Sequence, residues 1–599
     1  MAAALAVAAA LAGGCAVLPT SGTPASAPAR PAFGGGGGGG CCALIVRGPQ
    51  AGWSAEQVVS GFLVASAKPA HDFALAREYL APGRTRDSWQ PGSAVTILSQ
   101  TPKVSRESER LTQPGGSTTV VVSGQEMATL AGDQYTPAGS GDQPTPPLYF
   151  TMKSVNGHTM IGQLPANGLL LTDNLFHLVY TARVVYYYGL RNSELVPSPV
   201  FVPADSDIAR TLVNDLRQIP PGGLRDAVGT GFQPGSRVDS VQTAPGRTAI
   251  VSIHLPRGTS YSTYLNVASQ VVATLTGPGY GTAPFEAVKL KVNGKQWSPR
   301  HSGPVLTQDT AGLDRPRPGG NGPVYYLTPA GSVRMLSLLS ARGIPAPGEA
   351  GTSRLALHTV AVSPDHEHLA GIAGPADTVY TGDLTATGQS GAHPAATDLR
   401  SRLIGTDFSS LSWDNEDELW VAGRVGHKPG VWVLPKDKGG AMRVSLPRGL
   451  GGHVTGVRIA PDGMRIAMIV GWGPKAHLEL GYITGGVQGF SVTHVVSLGP
   501  GLSGVSAMSW FDENHLVAAA RYSPPGPQPR TSPLQLWEVP VNGDSATSLH
   551  WQQSGVTAIT AAGPHYPLYL SRDGRLEKSV GLGEPWTDVT AGQAVDYPG

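Results

Sequence analysis

A strand, an acidic turn and a second strand recur as a phrase through the second half of this 599-residue chain, and no other feature restricts its fold as tightly. Val360-Ala-Val-Ser-Pro-Asp365 precedes Leu369-Ala-Gly-Ile, and Leu411-Ser-Trp-Asp414 precedes Leu419-Trp-Val-Ala. Val457-Arg-Ile-Ala-Pro-Asp-Gly463 precedes Ile466-Ala-Met-Ile, and Met508-Ser-Trp-Phe-Asp512 precedes Leu516-Val-Ala-Ala. The four aspartates lie 49, 48 and 50 residues apart, near the period of propeller blades. Each phrase has the pattern of a hairpin. Outer strands follow at Thr378-Val-Tyr380, Gly430-Val-Trp-Val433 and Leu534-Gln-Leu-Trp-Glu-Val539. One such sheet cannot hide both of its faces, whereas a ring of them buries each against the next. Residues 323–599 are therefore expected to form an all-β propeller of about five or six blades.

The opposite end of the chain is built differently. Residues 1–15 read Met-Ala-Ala-Ala-Leu-Ala-Val-Ala-Ala-Ala-Leu-Ala-Gly-Gly-Cys, an apolar run of small residues that stops at a cysteine. The run is shorter than the roughly 20 residues a membrane-spanning helix needs, and it suits the apolar part of an export signal. Cleavage after residue 14 would leave Cys15 as the N-terminus, with lipid on its sulfur. Two details depart from the usual pattern. No Lys or Arg precedes Cys15, as expected if translation begins upstream of Met1, and Ala12 rather than leucine stands three residues before the cysteine. The bland alternative is an alanine-rich helix start with an incidental cysteine.

From Ala16 to Gly40, prolines alternate with Ser, Thr and Ala and then give way to seven glycines. Neither composition can bury a core, so residues 15–43 are expected to be a lipidated flexible tether. Cys41 and Cys42 are expected to have no function, and with all three cysteines in the first 42 residues the body has no internal disulfide. Lys and Arg number 43 against 42 Asp and Glu, with no basic stripe, which argues against a nucleic-acid partner.

Between tether and propeller the patterning implies two further domains. In residues 44–165, Val58, Val59, Phe62 and Leu63 share a helical stripe, and Phe73 to Leu80 suggest a second helix stopped by Pro82. Strand-like runs follow at 94–98, 117–122 and 148–152, giving an α+β domain. In residues 166–300, strands at Ala182–Tyr188 and Leu195–Pro203, helices at Ile208–Leu216 and Val267–Leu275, and strands at 237–253 and 285–292 give an α/β module. Residues 301–322 read as a Pro/Gly linker.

Four phrases of the middle module carry a resemblance. Val184-Val-Tyr-Tyr-Tyr-Gly-Leu-Arg-Asn-Ser-Glu-Leu-Val-Pro197, Thr211-Leu-Val-Asn-Asp-Leu216, Val271-Val-Ala-Thr-Leu-Thr276 and Val288-Lys-Leu-Lys-Val-Asn-Gly-Lys295 resemble a GerMN domain. With Ala16-Val-Leu-Pro-Thr-Ser-Gly22, Val59-Ser-Gly-Phe-Leu-Val-Ala-Ser-Ala67 and Ala76-Arg-Glu-Tyr-Leu-Ala-Pro82, the whole chain resembles the actinobacterial lipoprotein LpqB family. The polyglycine and paired cysteines at 34–42 depart from that family. The resemblance implies an N-terminal LpqB-type domain, a GerMN domain and a C-terminal propeller. It also implies an accessory role in the MtrA–MtrB two-component system, through contact with the extracellular domain of an MtrB-like sensor histidine kinase.

Catalytic layouts are sparse. No G-x-S-x-G elbow occurs, and the glycines of Gly277-Pro-Gly279-Tyr-Gly281 lie at the wrong offsets for a phosphate loop. His366-Glu367-His368 offers metal-ligand chemistry, but it falls in a hairpin turn where polar residues belong anyway. Asp365, Asp414, Asp462 and Asp512 recur once per blade, as turn-forming residues bonding nearby amides would. Tyr186, Tyr187 and Tyr188 could stack on a sugar, although a strand turns alternate members inward to the core. Trp420, Trp432, Trp510 and Trp537 read as packing between blades.

No catalytic residue, cofactor or metal is assigned, and the chain is not expected to be an enzyme. The expectation is a lipid-anchored protein on the outer face of the cell membrane that binds a sensor kinase and affects wall homeostasis, division or sporulation. A binder of peptidoglycan or glycan without kinase contact is the second reading. A propeller hydrolase such as a lactonase, with a metal in its channel, is the third. Mass spectrometry of the native protein should find an N-terminus at acylated Cys15, and Cys15→Ser should leave the leader uncut and the acyl mass missing.

Overall fold

The computed structural model describes residues 47–599 apart from 99–101, 107–117, 133, 139–145, 167, 205–206, 219–221, 311–321, 338–341, 353, 375–376, 385–398, 437–438, 451–452, 487, 524–530 and 553. The leader and tether, with Cys15, Cys41 and Cys42, lie outside the described residues.

Ser54 starts the first helix, Ala55–Ala65, through a capping box. Its Oγ accepts from Gln57 N at 3.2 Å, while Gln57 Oε1 accepts from Ser54 N at 2.8 Å. Val58, Val59, Phe62 and Leu63 are all buried, as their common stripe requires. Two four-stranded sheets surround this helix. One runs Lys103–Arg106, Thr119–Ser123, Leu148–Val155, His158–Gln163; the other runs Gln134–Pro137, Glu126–Ala131, Val95–Leu98, Leu169–Thr172. The last pair is parallel, with Val95 opposite Leu169. Leu169, Leu170, Leu171 and Phe176 therefore belong to this core, and the module extends past residue 165. An apolar triplet looks like the start of whatever follows it until its sheet partner is known.

The middle module is organised by the hairpin Tyr180–Gly189 and Leu195–Pro203, which pairs without a slip from Tyr188–Leu195 down to Tyr180–Pro203. Beside it lies a mixed sheet of Arg237–Ala244, Thr248–His254, Ala287–Val292 and Lys295–Trp297. Thr248–His254 and Ala287–Val292 run parallel, joined by the crossover helix Tyr261–Thr276. Ser260 caps that helix, and its half from Val267 onward is buried throughout.

Beyond residue 323 the described residues form six four-stranded antiparallel sheets. Five have innermost strands Leu357–Val362, Thr406–Trp413, Val454–Ile459, Leu502–Trp510 and Val556–Thr560. The remaining sheet begins with Val324–Leu327 and takes its innermost strand, Gln593–Asp596, from the end of the chain, which closes the ring. Each blade seam is crossed near the axis by a side-chain hydrogen bond. In chain order these join Val362 N to Asp596 Oδ2 (3.2 Å), Trp413 Nε1 to Ala361 O (3.2 Å) and Val457 N to Ser410 Oγ (3.1 Å). Trp510 Nε1 to Arg458 O (3.1 Å), Ala561 N to Ser509 Oγ (3.1 Å) and Tyr597 N to Thr560 Oγ1 (2.8 Å) complete the circle.

Trp420, Trp432 and Trp537 fill the seams further out, whereas Trp510 stands on an innermost strand. Trp420 is fully buried with its ring edge-on to Phe490 of the next blade, centroids 5.3 Å apart. Its indole N–H donates to Asp414 at 3.0 Å. Trp420→Ala should cost roughly 3–5 kcal/mol, the usual range for emptying a large aromatic site. Thermal unfolding should show it, with Trp420→Phe falling between the variant and the parent.

Candidate functional site

In the five blades built from consecutive strands, the turn between first and second strands lies on the same face of the ring. In each of the four repeated phrases the aspartate accepts backbone amides of its own turn. Asp365 Oδ1 accepts Glu367 N at 2.9 Å, and Asp414 Oδ1 accepts Glu416 N and Glu418 N, both at 2.9 Å. Asp462 Oδ1 accepts Met464 N at 2.8 Å and Arg465 N at 3.1 Å, and Asp512 Oδ1 accepts Asn514 N at 2.7 Å. Their turn-forming role is the one their spacing suggested.

At two of the four turns the second carboxylate oxygen receives a buried arginine. Arg465 is wholly buried, donates Nε to Asp462 Oδ2 at 2.6 Å and Nη2 to Glu513 O at 2.7 Å, and so ties two blades together. Asp414 Oδ2 accepts Arg191 Nη2 at 3.0 Å, and Arg191 comes from the tip of the middle module's hairpin. The same guanidinium contacts Glu418 and donates to Gly463 O at 3.1 Å. Beside it, Asn192 Nδ2 donates to Asp462 O at 2.7 Å. Side chains of Arg191, Asp414 and Glu418 are each at most 9% exposed, so this is a buried ion cluster between two modules. Burial and the Asp414 carboxylate push Glu418 up to about 7, while Arg191 pulls the other way.

Two glycines permit the close approach. A Cβ on Gly189 would meet Met464 Cγ at 2.7 Å, and one on Gly463 would meet Asn192 Nδ2 at 2.9 Å. The apolar contact is continuous as well, because Met464 and Tyr482 of the propeller belong to the middle module's own core. Tyr186 and Tyr188 face the crossover helix, where Tyr186 N donates to Thr274 Oγ1 at 3.1 Å and Tyr188 OH to Asn266 O at 3.0 Å. Tyr187 points the other way and donates to Asp215 O at 3.1 Å. Tyr186 OH also reaches Glu513 of the propeller.

Behind the hairpin tip lies a cavity of about 270 Å³ on the ring axis, lined by residues that include Glu194, Trp413, Arg458, Trp510 and Asp596. Burial pushes the Asp596 carboxyl up to about 7, against the opposing pull of Arg458, 3.8 Å away, and of Val362 N. Tryptophan walls with the carboxyl groups of Glu194, Asp414 and Asp596 and the Arg458 guanidinium give the cavity a lining that is apolar on its walls and charged at a few points.

Comparison with known proteins places this architecture. The family described as Lipoprotein LpqB, N-terminal domain matches residues 48–177, Sporulation and spore germination matches 184–297, and Lipoprotein LpqB beta-propeller domain matches 334–598. The Lipoprotein LpqB of Streptomyces coelicolor is 26% identical over 571 residues, spanning 90% of this chain and 89% of that protein. That of Thermobifida fusca is 26% identical over 635 residues, spanning 98% and 96%. The chain belongs to the LpqB family. Among solved structures, tandem GerMN domains of the sporulation protein GerM from Bacillus subtilis overlay at TM-score 0.18 and 18% identity, covering 26% of this chain and 59% of theirs. TolB from Acinetobacter baumannii overlays at TM-score 0.31 and 12% identity, covering 46% and 65%.

In this LpqB-family lipoprotein the His366-Glu367-His368 pair of histidines is split. His366 takes a left-handed turn conformation (φ 62°) beside Tyr325, while His368 starts the second strand and contacts Asp383 at 2.9 Å. Asp365, Glu367 and His368 come within 4.8 Å at their ligand atoms, but on an open turn. No helix among the described residues is long and apolar enough to cross a membrane. Arg191, the residue that joins two modules, carried no signal of its own; it sat inside a family phrase.

Arg191→Ala leaves two buried carboxylates without their cation and should cost roughly 3–5 kcal/mol. The pH sign follows from Glu418, whose folded value lies above the ordinary carboxylate range. Its contribution is present below that ordinary range and lost as pH rises through about 7. Without Arg191 the ionised form is disfavoured further, so the melting-temperature gap between variant and parent should be wider at pH 8 than at pH 6.

Proposed function

We propose that this LpqB-family lipoprotein is held on the outer face of the cell membrane by acylated Cys15. There it serves as a non-enzymatic accessory component of a two-component system, binding the extracellular domain of an MtrB-like sensor histidine kinase. One observation supports a binding role above the others. The middle module already occupies the mouth of the propeller through Arg191 and Asn192, which leaves the opposite face for a partner. That face carries the turns between second and third strands, including the loop of Trp472, whose ring is 58% exposed and edge-on to His453 at 4.9 Å. Exposed tryptophan on a rigid frame is the residue type that anchors protein interfaces.

The mechanism is positional. The lipid and the tether of residues 15–43 hold a rigid body within reach of a receptor in the same membrane, which raises the effective concentration of the pair. Binding that favours one state of the kinase ectodomain would shift its output, with consequences for wall homeostasis and division. Crosslinking in intact cells followed by capture should recover the histidine kinase in the parent. Recovery should fall at least fivefold in Trp472→Ala and should be lost in Cys15→Ser. Capture without the kinase in the parent would defeat the proposal.

A further inference from the structure

The N-terminal module also meets the propeller, away from the channel. The helix Asp173–Val179 follows directly from Leu169–Thr172, and Thr172 caps it, with its Oγ1 accepting Leu175 N. Asp173 and His177 stand four residues apart and so lie on one face of that helix. Facing them is Asp544, in the loop after the strand Gln535–Pro540 of the fifth blade in chain order. His177 Nε2 lies 3.3 Å from Asp173 Oδ1 and 3.2 Å from Asp544 Oδ1, and the ligand atoms of all three residues fall within 4.8 Å of one another.

Two features set this trio apart from an ordinary surface ion pair. First, Nε2 is sealed from solvent between the two carboxylates without a hydrogen bond of good geometry to either. Second, the spacing is that of ligands around an ion. Two ligand atoms bound tetrahedrally at about 2.1 Å are about 3.4 Å apart, close to what is seen on either side of Nε2. The carboxylates are also held in place. Asp173 is only 7% exposed, and Asp544 Oδ1 accepts Ser545 N at 2.7 Å. Phe176 and Phe201 pack around the imidazole, with ring centroids 5.3 and 6.4 Å away, and fix its plane.

We propose that Asp173, His177 and Asp544 form a divalent-cation site of one imidazole nitrogen and two carboxylate oxygens, and that a zinc-like ion there latches the N-terminal module to the propeller. A mixed nitrogen and oxygen set suits borderline ions such as Zn²⁺ more than Ca²⁺ or Mg²⁺, which prefer all-oxygen shells. Three protein ligands leave a fourth position for water. A proton on His177 is the competing way to neutralise the two carboxylates, and it fixes the choice of control. His177→Arg keeps a cation between Asp173 and Asp544 but removes the ligand nitrogen.

The test uses the full chain carrying Cys15→Ser, stripped with chelator and then titrated with ZnCl2, with CoCl2 as a spectroscopic probe. The expected result is one equivalent of metal bound, a rise in melting temperature on adding zinc and a visible Co²⁺ band. In Asp544→Asn and in His177→Arg the affinity should be at least tenfold weaker, with the metal-free melting temperature of His177→Arg close to that of the parent. No metal uptake by the parent would overturn the proposal. So would equal uptake by His177→Arg, which would locate the metal elsewhere.

Discussion

The hairpin Tyr180–Pro203 is the constraint on which the rest of this structure depends, because one pair of strands reaches three cores. At its base, Phe201 sits in the N-terminal core, 4.7 Å from the ring of Tyr135 and 5.2 Å from Phe176. Along its length, Tyr187 and Val196 belong to the core of the middle module. At its tip, Arg191 is buried against Asp414 and Glu418 of the propeller. A two-stranded ribbon is marginal alone in water. Here its partners in all three modules stabilise it, and it in turn fixes their relation.

Charge makes the tip selective. A carboxylate pair as close as Asp414 and Glu418 is unfavourable when buried, and one guanidinium with a geometry suited to carboxylates relieves it. Arg465 does the same for Asp462 one blade on, so two neighbouring turns each hold a buried arginine. The turn aspartates thus have two functions. One oxygen closes the local turn, as in all four repeats, and at two positions the other oxygen receives an arginine that ties separate parts together.

The ring needs a further device, since apolar packing between flat sheets is weakly directional. Side chains on the innermost strands supply direction by crossing each seam to a backbone group of the neighbouring blade, and the strand Gln593–Asp596 seals the circle. Ser410, Ser509 and Thr560, on three of the innermost strands, supply the hydroxyl oxygens that accept a neighbouring blade's backbone amide.

Much of this could be read along the chain. The 49-residue recurrence of strand, aspartate and strand determined a ring of hairpin-based sheets, because alternation and turn chemistry are local properties. Val58, Val59, Phe62 and Leu63 fixed the buried face of the first helix for the same reason, and the phrase from Val184 to Pro197 marked the hairpin through family likeness. What only the tertiary structure decided are pairings between residues far apart in sequence. Leu169 beside Val95, Arg191 beside Glu418, and His177 beside Asp544 are separated by 74, 227 and 367 positions. Nothing in the neighbourhood of such a residue records its partner. An isolated arginine or histidine has the same local pattern whether it faces water or a buried carboxylate, and only the folding of the intervening chain distinguishes the two.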